Sequence, residues 1–64
     1  MIEVTRLNNK ELTINCDLIE FIEETPDTVI TFTTGTKIVV KESLPEIKKR
    51  ILEYKQSIYR GLNV

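Results

Sequence analysis

The side chains of this chain that could do chemistry are few, and the densest group is four acids around one predicted turn: Glu20, Glu23, Glu24 and Asp27. Carboxylates at close spacing can hold a divalent cation. On a strand, however, successive side chains point to opposite faces, so Glu23 lies opposite to Glu20 and Glu24. We therefore expect solvated acids that keep a partly apolar surface soluble, and no metal site.

Catalytic groups other than carboxylates are scarce. The chain has no histidine, the commonest general base and metal ligand at neutral pH. Its single cysteine, Cys16, has no base partner in the pattern and cannot form an internal disulfide. Gly35 and Gly61 cannot build a phosphate-binding loop. We expect no enzyme activity, no cofactor and no bound metal.

The charges are unevenly distributed along the chain. Residues 1–40 hold seven acids and three bases, which is −4, and residues 41–64 hold six bases and three acids, which is +3. The basic part consists of Lys41, Lys48, Lys49, Arg50, Lys55 and Arg60. Acids interrupt it, and Glu46 precedes Arg50 by four residues, a common solubilising pair on an exposed helix. With a net charge of −1, the chain gives no general attraction to nucleic acid, and we expect none as a partner.

Alternating apolar and polar residues predict an antiparallel sheet. A chain of 64 residues makes a single domain, residues 1–64, with a thin core. We predict strands at about 2–7, 10–15, 18–24, 28–33 and 37–41. Asn8 and Asn9 tolerate the positive φ of a tight turn and join the first two strands.

The stretch "IEFIEETPDTVITFTTG" predicts the second hairpin, with Pro26 and Asp27 in its turn. A loop of two or four residues places Phe21 opposite Phe32, with Ile19 and Ile30 on the same face. We expect that face to be the core side. The other face is half apolar and is our candidate interaction face: Leu18, Glu20, Ile22, Val29, Thr31 and Thr33.

Gly35 suits the left-handed position of the next hairpin loop. A three-residue loop, Thr33 to Gly35, places Ile38 and Val40 on the Phe21/Phe32 face. A two-residue loop places Val39 there instead. We prefer the first because it buries two apolar residues.

A C-terminal helix is predicted at about 44–60. Ser43, Leu44, Pro45 and Glu46 form a capping box with proline in the first turn, and Gly61 ends the helix. An apolar stripe follows one helix face: Leu44, Ile47, Ile51, Tyr54 and Ile58. We expect Ile47, Ile51 and Ile58 to pack on the sheet, which gives an α+β fold of about five antiparallel strands covered by one helix.

Three segments carry a resemblance to a known family: "MIEVTRLN", "DLIEFIEETPDTVITFTTG" and "KIVVKES". Together they resemble the small FlbD family of flagellar proteins, also called SwrD swarming-motility proteins, over residues 1 to about 55. The resemblance implies a non-enzymatic cytoplasmic protein, peripheral at the flagellar motor, that supports motor power and swarming through contacts at or near the stator. It supplies no catalytic residues. Family members often have proline in place of Cys16 and glycine in place of Asn9.

Two other functions compete with this interpretation. The first is an RNA-binding regulator resembling the carbon-storage regulator, which has a similar length, five strands and a helix. Its first strand begins with a Thr-Arg comparable to Thr5-Arg6 of this chain. An RNA groove needs several bases beside its strands, and here the strands are acidic. A helix lying on a membrane is the second alternative, but its apolar stripe is better explained as the lid of the sheet. No apolar run approaches the ~20 residues that span a bilayer, so we expect no direct membrane insertion.

Self-association is expected for a structural reason. One helix covers only one face of a sheet, and the half-apolar opposite face then needs another cover. Symmetric homo-oligomers are the commonest solution. The chain start reads as a strand and not as a signal peptide, and the single cysteine fits a reducing compartment, so we expect a cytoplasmic protein.

Overall fold

Five antiparallel strands precede one long helix in the computed structural model, which describes residues 1–62 and side chains through Ile58. The elements are β1 (Ile2–Thr5), β2 (Glu11–Ile14), a 3₁₀ turn (Cys16–Leu18), β3 (Ile19–Glu24), β4 (Thr28–Phe32), β5 (Lys37–Val40) and α1 (Leu44–Leu62). The predicted α+β class, with a C-terminal helix after a series of hairpins, is confirmed.

The strands form two sheets instead of the single one predicted. β1 and β2 make a two-stranded sheet, and β3, β4 and β5 make a three-stranded sheet in that order. A single bridge between Arg6 and Val40 joins them, next to a hydrogen bond from the Lys41 amide to the Thr5 carbonyl of 2.8 Å. The end of β1 therefore approaches β5 only at this point, and the rest of β1 diverges from β5.

The Glu42 side chain occupies the place where β1 and β5 separate. Its two carboxylate oxygens accept hydrogen bonds from the Thr5 amide and the Thr5 hydroxyl, each 2.8 Å long. A side chain here satisfies a strand amide that a neighbouring strand would otherwise satisfy. Arg50 of α1 donates to the same carboxylate at 3.1 Å and to the Glu3 carbonyl at 2.8 Å. We call this group, Glu3, Thr5, Glu42 and Arg50, the carboxylate clamp.

Two of the hairpin loops have three residues with a left-handed residue at the third position. Asn9 has φ 68° and Gly35 has φ 89°, the conformation that asparagine and glycine tolerate best. The loop from Thr33 to Gly35 places Ile38 opposite Ile30 and Val40 opposite Thr28. The three-residue loop preferred from the sequence is confirmed, and Val39 lies on the other face.

The pairing of β3 with β4 differs by one residue from the prediction. The loop between them contains three residues, Thr25 to Asp27, and its Thr25–Pro26 bond is cis. Ile22 consequently lies opposite Ile30, whereas Phe21 lies opposite Thr31. A one-residue shift moves every side chain of a strand to the other face. The predicted Phe21–Phe32 pair is therefore wrong.

A bulge corrects the shift at the beginning of β3. The register changes between Ile19 and Phe21, so that Ile19 pairs with Phe32. A bulge puts one extra residue into a strand and reverses the alternation beyond it. Ile19 thus stays on the core side, as predicted, although Phe21 does not.

The core lies between both sheets and the helix. Its buried members are Ile2, Val4, Ile14, Cys16, Ile30, Val40 and Ile47. Half-buried residues pack around them: Leu12, Ile19, Ile22, Phe32, Ile38, Ile51 and Tyr54. Two predicted core residues are outside it, since Phe21 is 44% exposed and Ile58 is 43% exposed. The first hairpin contributes more of the core than the sequence suggested.

Ser43 caps the helix, although only half of the predicted capping box forms. The Ser43 hydroxyl accepts from the Glu46 amide at 3.3 Å, but the Glu46 carboxylate bonds Arg50 Nε at 3.1 Å instead of the Ser43 amide. The helix also continues past Gly61 to Leu62, beyond the predicted end. Glycine inside a helix costs only about 1 kcal/mol relative to alanine, so it does not oblige a helix to stop.

The packing predicts losses of stability of different size for two apolar residues on opposite faces of the sheet. Ile30→Ala removes a fully buried side chain and should lower the free energy of unfolding by ~2–5 kcal/mol. Phe21→Ala, its matched control on the exposed face, should lower it by about 1 kcal/mol or less. Urea unfolding of both variants measures this. A larger loss for Phe21→Ala than for Ile30→Ala would contradict the observed register.

Candidate interaction surface

The face of the three-stranded sheet that points away from the core is not covered by the helix. Two cross-strand rows form it, Phe21–Thr31–Lys37 and Glu23–Val29–Val39. We call these six residues the outer face. The helix packs on the opposite side, where Ile47 joins Ile30 in the core. Phe21 is 44% exposed and Val39 is 36% exposed, with Val29 half-buried between the flanking strands.

Leu7 extends this surface at its β5 side. The antiparallel bridge between Arg6 and Val40 brings the following loop beside β5. Leu7, Asn8 and Val39 line a shallow groove there together with neighbouring residues, and Leu7 is 54% exposed. The apolar part of the outer face thus runs from Phe21 across Val29 and Val39 to Leu7.

Thr31 is the polar centre of the outer face. It is 4% exposed, and its hydroxyl has no hydrogen-bond partner among residues 1–62. Phe21 and Lys37 are its cross-strand neighbours on the two sides. A buried hydroxyl without a partner loses its hydration without compensation, which costs ~1–3 kcal/mol.

The structure distributes the predicted interaction residues over different places. Val29 and Thr31 lie on the outer face, Thr31 buried. Ile22 packs against the core because of the shifted register, so its assignment to the uncovered face is wrong. Leu18, Glu20 and Thr33 are exposed, in the 3₁₀ turn, at the bulge and in the Gly35 loop respectively.

Sequence reasoning missed four residues of this surface: Leu7, Phe21, Lys37 and Val39. The even loop assumed for Pro26 and Asp27 placed Phe21 in the core, since register and loop length depend on each other. For Val39 a signal was available. The preferred Gly35 loop buries Ile38 and Val40, and alternation then leaves Val39 on the other side.

The carboxylate clamp has a distinct electrostatic character. The Glu42 side chain is 9% exposed, and burial by itself would raise its pKa. The hydrogen bonds from the Thr5 amide and hydroxyl and the charge of Arg50 outweigh burial, so the pKa of Glu42 lies below its ordinary value. Partial burial would lower the pKa of Arg50, but the hydrogen bond to Glu46 and the charges of Glu42 and Glu46 raise it. Both side chains are thereby held charged.

An open cleft lies between the first hairpin and α1, next to the clamp. Its lining includes Glu3, Glu11, Arg50, Glu53, Tyr54 and Ser57. Arg50 is already bonded to Glu42, Glu46 and the Glu3 carbonyl. The chain has no histidine, and Cys16 is buried in the core instead of lining this cleft. The lining of the cleft therefore includes neither a histidine nor a thiol.

Two further properties bear on function. Within residues 1–62, no three acid, cysteine or histidine side chains come together as a metal site would require. Over the same part of the chain, no helix combines the length and the apolar character needed to cross a bilayer.

Comparison with known proteins identifies the family. The family model for flagellar and swarming motility proteins, FlbD, matches residues 1–59. The chain belongs to the FlbD family. No curated protein and no solved structure matches it. The FlbD match covers both sheets and most of α1, so the clamp and the outer face both lie within the family domain.

A substitution at Thr31 tests whether its hydroxyl is unpaired in the isolated chain. Thr31→Val keeps the shape of the side chain and removes the unpaired hydroxyl, so the free energy of unfolding should rise by about 1 kcal/mol. Thr13→Val on β2 is the matched control, because Thr13 is exposed, and should change it by at most about 0.5 kcal/mol. Urea unfolding measures both. Destabilisation by Thr31→Val would show that the hydroxyl does have a partner.

The clamp predicts a specific dependence of stability on pH. A carboxyl with a depressed pKa in the folded state stabilises the fold above its ordinary value, 4.5, and loses this contribution as the pH falls through the folded-state pKa. Glu42→Gln should therefore cost ~1–3 kcal/mol at about pH 7 and much less at about pH 3. Unfolding midpoints at both pH values measure the difference.

Glu46→Gln is the control for this experiment. Glu46 bonds the same arginine, but its side chain is 41% exposed and its pair with Arg50 spans one helical turn. Such pairs contribute only ~0.3–0.5 kcal/mol. An equal loss in the two variants would contradict a special role of Glu42.

Proposed function

We propose that this chain is a non-enzymatic cytoplasmic accessory protein of the flagellar motor. It supports motor power during swarming through protein–protein contacts at or near the stator. The observation that carries the proposal is the FlbD family match over residues 1–59. Self-association belongs to the same proposal, because the face opposite the helix needs a cover.

The surface chemistry favours contact with protein. The outer face carries three apolar residues, Phe21, Val29 and Val39, with one acid and one base at diagonally opposite corners. Exposed apolar areas bounded by polar residues are typical of protein interfaces. An RNA-binding strand surface would need several bases, and this face has only Lys37.

A deletion strain tests the motor role. Cells without the protein should build filaments in normal number, because the proposed role concerns the power of an assembled motor. Their swarms should expand more slowly, and beads attached to filament stubs should rotate with lower torque. Electron microscopy, swarm expansion and bead rotation measure the three quantities. Missing filaments, or normal torque together with normal swarming, would overturn the proposal.

Site-specific crosslinking tests where the contact occurs. A photoreactive amino acid at Leu18, a predicted interaction residue that is 45% exposed and lies in the 3₁₀ turn off the outer face, should capture a stator protein in motile cells. The same group at Lys48, which is exposed on α1, is the matched control and should capture much less. Immunoblots against the stator proteins identify the product. Equal capture from both positions would contradict a specific contact near Leu18.

A further inference from the structure

The outer face has the residue composition of a small protein interface, but the helix does not pack on it. Phe21 and Val39 are partly exposed there, although both are apolar. The helix packs against the core side of the sheet, so it cannot cover them. An occupant of this face has to present an apolar surface of its own.

The two charged residues of the outer face indicate which occupant fits. Glu23 stands at the β3 end of one cross-strand row, and Lys37 stands at the β5 end of the other row. The charges thus lie at diagonally opposite corners, and they cancel. A second copy can be placed face to face with the first, about a two-fold axis that runs between these two corners. Each Glu23 then lies on Lys37 of the other copy, and the apolar residues of the two faces meet.

We propose that the outer face is the isologous interface of a homodimer, with Phe21, Val29 and Val39 lying between two symmetric Glu23–Lys37 ion pairs. The same residues contact each other from both sides, so no additional surface is required. Charge complementarity of this kind sets the orientation of two partners more than it sets their affinity.

The free edge of β3 is a poorer route to association. It is interrupted by the bulge between Ile19 and Phe21, and Glu20, Glu23 and Glu24 lie along it. Bulges and charged residues on an edge strand discourage the addition of another strand. This leaves the face of the sheet, and not its edge, as the surface for a second copy.

The size of the face predicts a weak dimer. Three strands of about five residues cover about 14 Å by 17 Å, at ~4.8 Å between strands and ~3.3 Å per residue. This outline is well below the ~800 Å² that each partner of a stable interface usually buries. For this chain, ~800 Å² would be about one sixth of the 4686 Å² that it exposes. We therefore expect dissociation constants in the micromolar range or above. This inference deepens the self-association that is part of the proposed function and does not depend on the motor role, since it concerns the chain alone.

Charge reversal separates a second copy from any other occupant. Sedimentation velocity on the purified chain, from micromolar to millimolar concentration, should show a monomer–dimer equilibrium. Glu23→Lys and Lys37→Glu should each weaken it about tenfold, because each puts like charges together at both corners. The double variant Glu23→Lys/Lys37→Glu should restore the wild-type constant. Only an interface that pairs these two residues with each other predicts this rescue.

Controls on the helix make the result specific. Glu53→Lys and Lys48→Glu change the same charges on exposed helix positions and should leave the dimer constant unchanged. Phe21→Ala should weaken the dimer more than tenfold while its circular dichroism stays that of the wild type. A monomer at every concentration, or a double variant no better than the single ones, would overturn the proposal. So would a monomer in which the single reversals abolish swarming, since the face would then bind a different protein.

Discussion

The arrangement of this small fold depends on one partly buried carboxylate. Glu42 satisfies the Thr5 amide and hydroxyl at the point where β1 leaves β5, and it holds Arg50 of the helix. One side chain thereby connects the first hairpin, the second sheet and α1. Burial of a charge is costly unless it is paired and hydrogen-bonded, and the clamp meets both conditions. The core residues of the first hairpin, Ile2 and Val4, meet Ile47 of the helix beneath it.

The second determinant is the phase of β3 relative to β4. An odd loop around Pro26 places Ile22 in the core and Phe21 outside, and a bulge returns Ile19 to the core side. The odd loop and the bulge each shift the pairing of β3 with β4 by one residue. Each shift moves the side chains of β3 from one face of the sheet to the other. The composition of the outer face, and with it the surface available to partners, follows from these two local features.

Membership in the FlbD family agrees with a structure whose polar groups serve the fold more than they form a reaction centre. The most perturbed charged groups, Glu42 and Arg50, bond each other and backbone groups of β1. Perturbed groups often mark functional sites, but structural ion-pair networks perturb pKa values as well. Here the bonds of the clamp join β1, α1 and the connection between β5 and α1, which explains the perturbation. The outer face, where Phe21 and Val39 are partly exposed, is one surface on which contacts with other proteins can form.

The sequence by itself determined the elements and most of their orientation. Alternation predicted the strands, Gly35 predicted a three-residue loop with Ile38 and Val40 inward, and Ser43 marked the start of the helix. These features depend on residues close in the chain, whose propensities and turn preferences are local. Val29 and Thr31 of the candidate face were predicted for the same reason.

Only the tertiary structure decided the division into two sheets, the position of Phe21 and the role of Glu42. The first and the third depend on residues far apart in sequence, as with Thr5 and Glu42, 37 positions apart. An acid beside a capping serine gives no local sign that its carboxylate will replace a strand partner. Likewise, a loop of two, three or four residues around Pro26 is compatible with the same local pattern. The pairing of Ile22 with Ile30 in the core requires the three-residue loop. That contact exists only after the chain has folded, so the local pattern does not reveal it.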